Sequence, residues 1–193
     1  MEDHDFSKLL DLRRTLEVFL KINGYDISQE PDFSKMDEKQ FKEYIEKRSK
    51  VEIFPDNINI VKTARTVLSK IFVNKETKKS IFVFFAPETY KSTVSIDVVV
   101  NFISLCIYFN CMEGIIIVPK KLTPQAEVKL KDTSVNYDSS VKDPKVYRLI
   151  SYIDEDFINI TDNQYTPKVV KIYRGKDARD FLRKNDIKGS QLA

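Results

Sequence analysis

The residues best placed for chemistry follow a short apolar run in the middle of the chain. Gly114–Val118 has the length of a buried strand, and Pro119 ends it because proline cannot donate to a sheet ladder. Two lysines follow, and a Thr-Pro pair then forms a helix start, with the threonine as N-cap and the proline in the first helical position. Free N–H groups and the helix dipole make such a corner favourable for an anion, for example a phosphate backbone. The residues of this corner are Lys120, Lys121, Thr123 and Pro124. Lys129 and Lys131 add positive charge nearby, although a solvated basic face is the plainer interpretation.

A second pattern is the acidic-x-lysine triplet Glu127-Val128-Lys129. Metal-dependent nucleases use this spacing on a strand, where the carboxylate holds Mg²⁺ and the lysine polarises the attacking water. Asp97 is the candidate for a second ligand. The triplet falls, however, in the helix predicted after Pro124, where residues two apart do not share a face. A solvated helix is therefore favoured, and a nuclease using Glu127 and Lys129 stays an alternative.

The amino-acid composition excludes some classes of function for this chain. The 193 residues are 42% hydrophobic and 32% charged with a net charge of +3, which describes an ordinary folded protein and makes no general case for nucleic-acid binding. Cys106 and Cys111 stand in apolar surroundings and are expected to be reduced core residues of an intracellular protein. Together with the single histidine, His4, they cannot complete a typical zinc site. No cofactor is therefore expected, and no apolar run is long enough to span a membrane.

Hydrophobic periodicity predicts the elements that position the corner. Helices are predicted over 6–22 and 35–48, with a mixed pattern favouring another over 58–72. Strands are predicted at 51–54, 81–85, 114–118 and 157–161. The segment 96–109 is predicted as a crossover helix between parallel strands, 132–143 as a loop, and 176–184 as a short basic helix. The predicted fold class is α/β, with α+β as the alternative: a small central sheet flanked by helices.

Four groups of short motifs then occur in a fixed order along the chain. They are Gly24-Tyr25-Asp26-Ile27-Ser28-Gln29-Glu30; Gly114–Val118 with Leu122-Thr123-Pro124-Gln125-Ala126; Asn159-Ile160-Thr161 with Pro167-Lys168; and Phe181-Leu182, Ile187-Lys188 and Ser190-Gln191-Leu192. In this order they resemble the fifth subunit shared by the eukaryotic nuclear RNA polymerases, whose C-terminal half corresponds to a small subunit of the archaeal polymerase. The resemblance extends over nearly the whole length.

The resemblance implies a non-catalytic subunit of a DNA-directed RNA polymerase that takes part in transcription. Residues 1–162 would be a jaw domain, similar to a nuclease fold without its active site, with Lys120, Lys121, Thr123 and Pro124 at the tip near downstream duplex DNA. Residues 163–193 would be a truncated assembly module that docks on the largest subunit. The implied partners are the largest and other core subunits, and duplex DNA contacted without regard to sequence. The assembly residues carried over by position are Pro167, Lys168, Phe181, Leu182, Ile187, Gln191 and Leu192.

Two departures from the family pattern qualify this expectation. The histidine usual after the proline is replaced by Val169 or Val170, and the chain stops at Ala193 where the family continues into further turns and strands. Either this version is shortened or the sequence is a fragment.

The lysine-, isoleucine- and asparagine-rich composition suggests an AT-rich genome, as in a large DNA virus or a parasite. The expected location is the nucleus for a cellular protein, or the virion or cytoplasmic viral factory for a viral one. A free-standing DNA-binding adaptor is the remaining alternative.

Overall fold

The computed structural model describes residues 5–89, 92–135 and 147–160. The chain divides into one unit of Met1–Asn163 and another of Gln164–Ala193, and every described residue belongs to the first. The predicted basic helix at 176–184 and all of the predicted assembly residues, from Pro167 to Leu192, therefore lie outside the described residues.

Within the described residues the chain forms five α-helices and four strands. In order they are α1 (Phe6–Ile22), α2 (Glu38–Ser49), β1 (Lys70–Val73), β2 (Ser80–Phe85), α3 (Ile96–Tyr108), β3 (Glu113–Val118), α4 (Pro124–Val135), β4 (Arg148–Ile153) and α5 (Asp154–Ile158). Single 3₁₀ turns occur at Phe33–Lys35 and Thr66–Leu68. No described helix has both the length and the apolar character needed to cross a membrane.

The four strands form one mixed sheet in the order β1-β2-β3-β4. β1 is antiparallel to β2, whereas β2, β3 and β4 are parallel. Ile115 in β3 pairs with Val83 on one side and with Ile150 on the other. The carboxyl ends of three strands therefore meet at one edge of the sheet, and the α/β prediction is confirmed.

Helices cover both faces of the sheet because side chains of a strand alternate between its faces. Val83, Phe85 and residues of like parity in β3 pack with the apolar side of α1 and with Phe41 of α2. Phe82, Phe84 and their neighbours in β3 pack with α3 and with Ala126 of α4. α3 and α4, the two parallel crossovers, thus share one face.

The helix ends explain why these segments are helical. Asp5 caps α1, since its carboxylate accepts the N–H of Lys8 at 3.0 Å. Asp37 and Gln40 form a reciprocal capping box at α2. Gly24, with φ of +77°, supplies a left-handed residue after α1.

β3 approaches α3 closely at Gly114, the first residue of its apolar run. A Cβ at this position would lie 2.7 Å from Cζ of Phe102 and 2.9 Å from Sγ of Cys106. The glycine is needed here because the backbone of the strand and the side chains of the helix leave no room for a methyl group.

Three predicted elements were wrong. Residues 51–54 have no regular structure, and 58–72 contain a single 3₁₀ turn followed by β1 instead of a helix. The predicted strand at 157–161 is, over its described part, the end of α5 and a turn. Acidic residues at 154–156 favour a helix start there, which the alternation of apolar residues concealed. β4 was not predicted, and α4 continues to Val135 where a loop was expected.

Candidate nucleic-acid interface

The corner after β3 is a short loop held on both sides. β3 ends at Val118 and α4 begins at Pro124. Between them, Val94 pairs with the loop: its N–H donates to the carbonyl of Lys121 at 2.9 Å, and its carbonyl accepts the N–H of Thr123 at 3.0 Å. The loop therefore has a fixed backbone, from which Lys120 and Lys121 reach solvent while Leu122 is buried.

Thr123 caps α4 as the sequence predicted. Its Oγ1 accepts the N–H of Ala126 at 3.3 Å, and its carbonyl accepts the N–H of Glu127 at 3.0 Å. Pro124 is the first helical residue, where its missing N–H leaves no intrahelical bond unmade. The buried Ala126 and Leu130 then fix α4 against the sheet.

Lys120 and Lys121 are exposed at this corner. Within the part of the chain that the structure describes, neither ammonium group lies within ion-pairing distance of a carboxylate. Two cations are thus presented to solvent on a rigid backbone next to a helix N-terminus, which suits contact with an external anion.

A cleft of about 1090 Å³ opens beside the corner, at the carboxyl ends of the three parallel strands. Its walls come from the start of α1, the chain after β2, the corner and the start of α5. The charges along it are mixed: Lys8, Arg65, Lys120 and Lys121 face Asp5, Glu88, Asp154, Glu155 and Asp156. Because Lys8 and Arg65 are already paired with carboxylates, Lys120 and Lys121 are the cations of this cleft that remain for an external anion.

A buried ion pair forms the floor of the cleft. The Arg65 and Asp154 side chains are 1% and 2% exposed, and Asp154 accepts from Nη1 at 2.9 Å and from Nη2 at 2.5 Å. The Nη1 atom is also 3.8 Å from Glu88. Such a two-pronged bond suits a buried charge because it satisfies both partners at once.

Lys8 extends this network toward α1. Its Nζ lies 3.5 Å from Asp154 and 2.9 Å from Glu155. Burial opposes the charge of Lys8, but the hydrogen bond to Glu155 and the charge of Asp154 outweigh it and raise the pKa of Lys8. The same hydrogen bond lowers the pKa of Glu155. The start of α1 is therefore linked by charge to the start of α5.

The residues of the nuclease alternative are not brought together. Glu127 and Lys129 are both exposed on α4, where two residues of separation turn the side chains by about 200°. Asp97 lies in the first turn of α3, where the helix dipole accounts for a carboxylate. Among the described residues, no group of three acidic, histidine or cysteine side chains could hold a metal ion.

The two cysteines are free and buried, as predicted for core residues. Burial raises the pKa of the Cys111 thiol to about 11 and also raises that of Cys106. Neither thiol is thus prepared for nucleophilic chemistry at neutral pH.

Sequence reasoning missed Arg65 and Asp154. Arg65 stood in a segment taken for a helix, and Asp154 in a run of acidic residues that the strand prediction at 157–161 left without a role. The run 154–156, read as a helix start, was the available signal for Asp154. Nothing local to Arg65 indicates its partner, which is 89 residues away in sequence.

The chain matches no known protein-family model, and no curated protein matches it significantly.

Proposed function

We propose that the chain is a non-catalytic subunit of a multisubunit DNA-directed RNA polymerase and takes part in transcription. Residues 1–162 act as a jaw near downstream duplex DNA, and residues 163–193 act as an assembly module that docks on the largest subunit. The order of the motifs along the sequence supports this proposal, and the α/β fold of the first unit agrees with it. The chain performs no chemistry of its own in this role.

The observation that carries the proposal is the corner between β3 and α4. Lys120 and Lys121 are exposed on a loop whose backbone is bonded to Val94 and whose following helix is capped by Thr123. This combination suits a jaw, because a rigid backbone places its cations at a set distance from a duplex that the rest of the polymerase holds.

The contact with DNA is expected to be weak. Two lysines release at most about two counterions from DNA. A plot of the logarithm of the affinity against the logarithm of the salt concentration should therefore have a slope no steeper than about −2. The carboxylates of the neighbouring cleft oppose a closer approach of phosphate. The contact therefore serves to position DNA within an assembled polymerase and not to capture it from solution.

The proposal is tested by replacing both lysines with glutamine in the assembled polymerase and measuring crosslinking to labelled downstream duplex. Crosslinking of this subunit should fall severalfold. Lys78→Gln with Lys79→Gln is the matched control, because this exposed pair lies in the β1–β2 turn, at the opposite edge of the sheet. Equal crosslinking in the two double variants would contradict the assignment of the corner.

The assembly half of the proposal is tested separately. Deleting residues 167–192 from a tagged chain should abolish recovery of the largest subunit, while the remaining chain still folds around its α/β core. Retention of the largest subunit by the deleted chain would contradict docking through this segment.

A further inference from the structure

One buried side chain joins the ends of three strands beside the corner. Arg65 donates from Nε to the carbonyl of Ala86 at 2.6 Å and from Nη2 to the carbonyl of Ile117 at 3.2 Å. Its Nη1 and Nη2 atoms also bind both carboxylate oxygens of Asp154. Ala86 directly follows β2, Ile117 is the penultimate residue of β3, and Asp154 directly follows β4.

These contacts reach the corner on one side and α5 on the other. The carbonyl of Ile117 also accepts the N–H of Ala86 at 2.9 Å, so the end of β3 is bonded to both Arg65 and the chain after β2. Pro119 begins the corner two residues later. Asp154 begins α5, whose last residues precede the end of the first unit at Asn163.

We propose that Arg65 is the positioning residue of the corner, fixing Lys120 and Lys121 relative to α5. The planar guanidinium can hold two carbonyls and a carboxylate at once because its donors point in fixed directions. A lysine keeps the charge for Asp154 but offers one nitrogen, which cannot reach all three partners. Without the guanidinium, the end of β3 loses a charge-assisted bond, and the loop that follows gains freedom.

This inference rests on the proposed function only for the identity of the partner that the corner contacts, which is DNA. The positioning itself is a property of the free chain and can be measured without polymerase or DNA.

The test is amide hydrogen exchange on the full chain carrying Arg65→Lys. Exchange should accelerate tenfold or more at Ala86, Val94 and Thr123, the amides that hold the corner, and remain unchanged at Tyr25, whose N–H bonds to Leu20. Arg14→Lys is the matched control, since Arg14 also donates to two carbonyls, those of Phe33 and Met36, and to a carboxylate, that of Asp11. It should leave the three corner amides unchanged.

Unchanged exchange at the corner in Arg65→Lys, or the same acceleration at every amide, would overturn the proposal. So would an equal effect of Arg14→Lys on the corner. If Arg65→Lys does not fold, Asp154→Asn carries the test, because it removes the charged partner that orients the guanidinium toward the two carbonyls. Exchange should then accelerate selectively, by a smaller factor, at the same three amides. If the variant loses protection selectively at these amides while the wild-type subunit in the assembled polymerase does not crosslink to DNA, the positioning role is supported and the proposed function is contradicted.

Discussion

The hydroxyl of Tyr25 donates a hydrogen bond of 2.8 Å to the carboxylate of Glu113, the first residue of β3. Tyr25 follows the left-handed Gly24 that ends α1, and its own N–H bonds back to Leu20. One end of β3 is thus held by α1, and the other end is held by Arg65. The strand that carries the corner is fixed at both of its ends.

Removing the hydroxyl in Tyr25→Phe should cost about 1 kcal/mol in the free energy of unfolding. Burial, followed by the hydrogen bond to Glu113, raises the pKa of Tyr25. The protonated hydroxyl therefore stabilises the fold fully below about pH 10, the ordinary tyrosine pKa, and this contribution is lost as the pH rises further. Urea unfolding between pH 8 and pH 11 measures both effects.

Tyr108→Phe is the control for this change, because Tyr108 is largely exposed at the end of α3. The decline in stability above pH 10 should be shallower in Tyr25→Phe than in Tyr108→Phe. If the stabilities of the two variants fell in parallel with rising pH, Tyr25 would not be the cause of the loss of stability above pH 10.

Glu30→Gln should destabilise the protein by about 3 to 5 kcal/mol, because it leaves the buried guanidinium of Arg13 without its charged partner. Burial alone would raise the pKa of Glu30, but the charges of Arg13 and Lys70 outweigh it and lower the pKa. The stabilisation is thus fully present above about pH 4.3, the ordinary glutamate pKa, and is lost as the pH falls below it.

Denaturant unfolding from pH 6 to pH 3 tests this prediction, with Glu43→Gln on the exposed side of α2 as the control. The wild type and the control should lose stability on acidification more steeply than Glu30→Gln does. An equally steep loss in all three proteins would contradict the assignment.

Gly114→Ala should cost about 1 to 3 kcal/mol, because its methyl group would overlap Phe102 and Cys106. Adding Cys106→Ala to the same chain removes one of the three close neighbours, which also include Leu149, and should recover part of the loss. Urea midpoints of the two single variants and the double variant measure the coupling. Strict additivity would show that the glycine is not required by the packing of α3.

Thr123→Ala should cost about 0.5 to 2 kcal/mol by removing the side-chain cap of α4. Thr123→Ser keeps the hydroxyl and should stay close to the wild type. Thermal unfolding compares the two, and equal losses in both variants would show that the methyl group and not the cap is responsible.

The sequence was sufficient to predict those helices and strands that depend on residues close to them in the chain. α1, β2, α3, β3 and the capped start of α4 follow from apolar periodicity and from residues such as Thr123 and Pro124, which act within one turn of where they stand. The corner was predictable for the same reason. Its lysines are exposed because the strand before them is wholly apolar and ends at a proline.

The elements that were missed depend on distant partners. β1 is a short edge strand whose pattern resembles part of a helix, and β4 mixes polar and apolar residues because only one neighbouring strand covers it. Arg65 looks like an ordinary surface residue until the ends of β2, β3 and β4 meet around it. Contacts between residues so far apart in the sequence produce no periodic pattern by which they could be predicted.

The central claim is that this chain belongs to a polymerase, and affinity purification of the tagged full chain from its native source tests it most directly. Mass spectrometry of the purified complex should recover the largest subunit and the other core subunits of one RNA polymerase in amounts comparable to the tagged chain. Recovery of the chain alone, or with partners unrelated to transcription, would contradict the account.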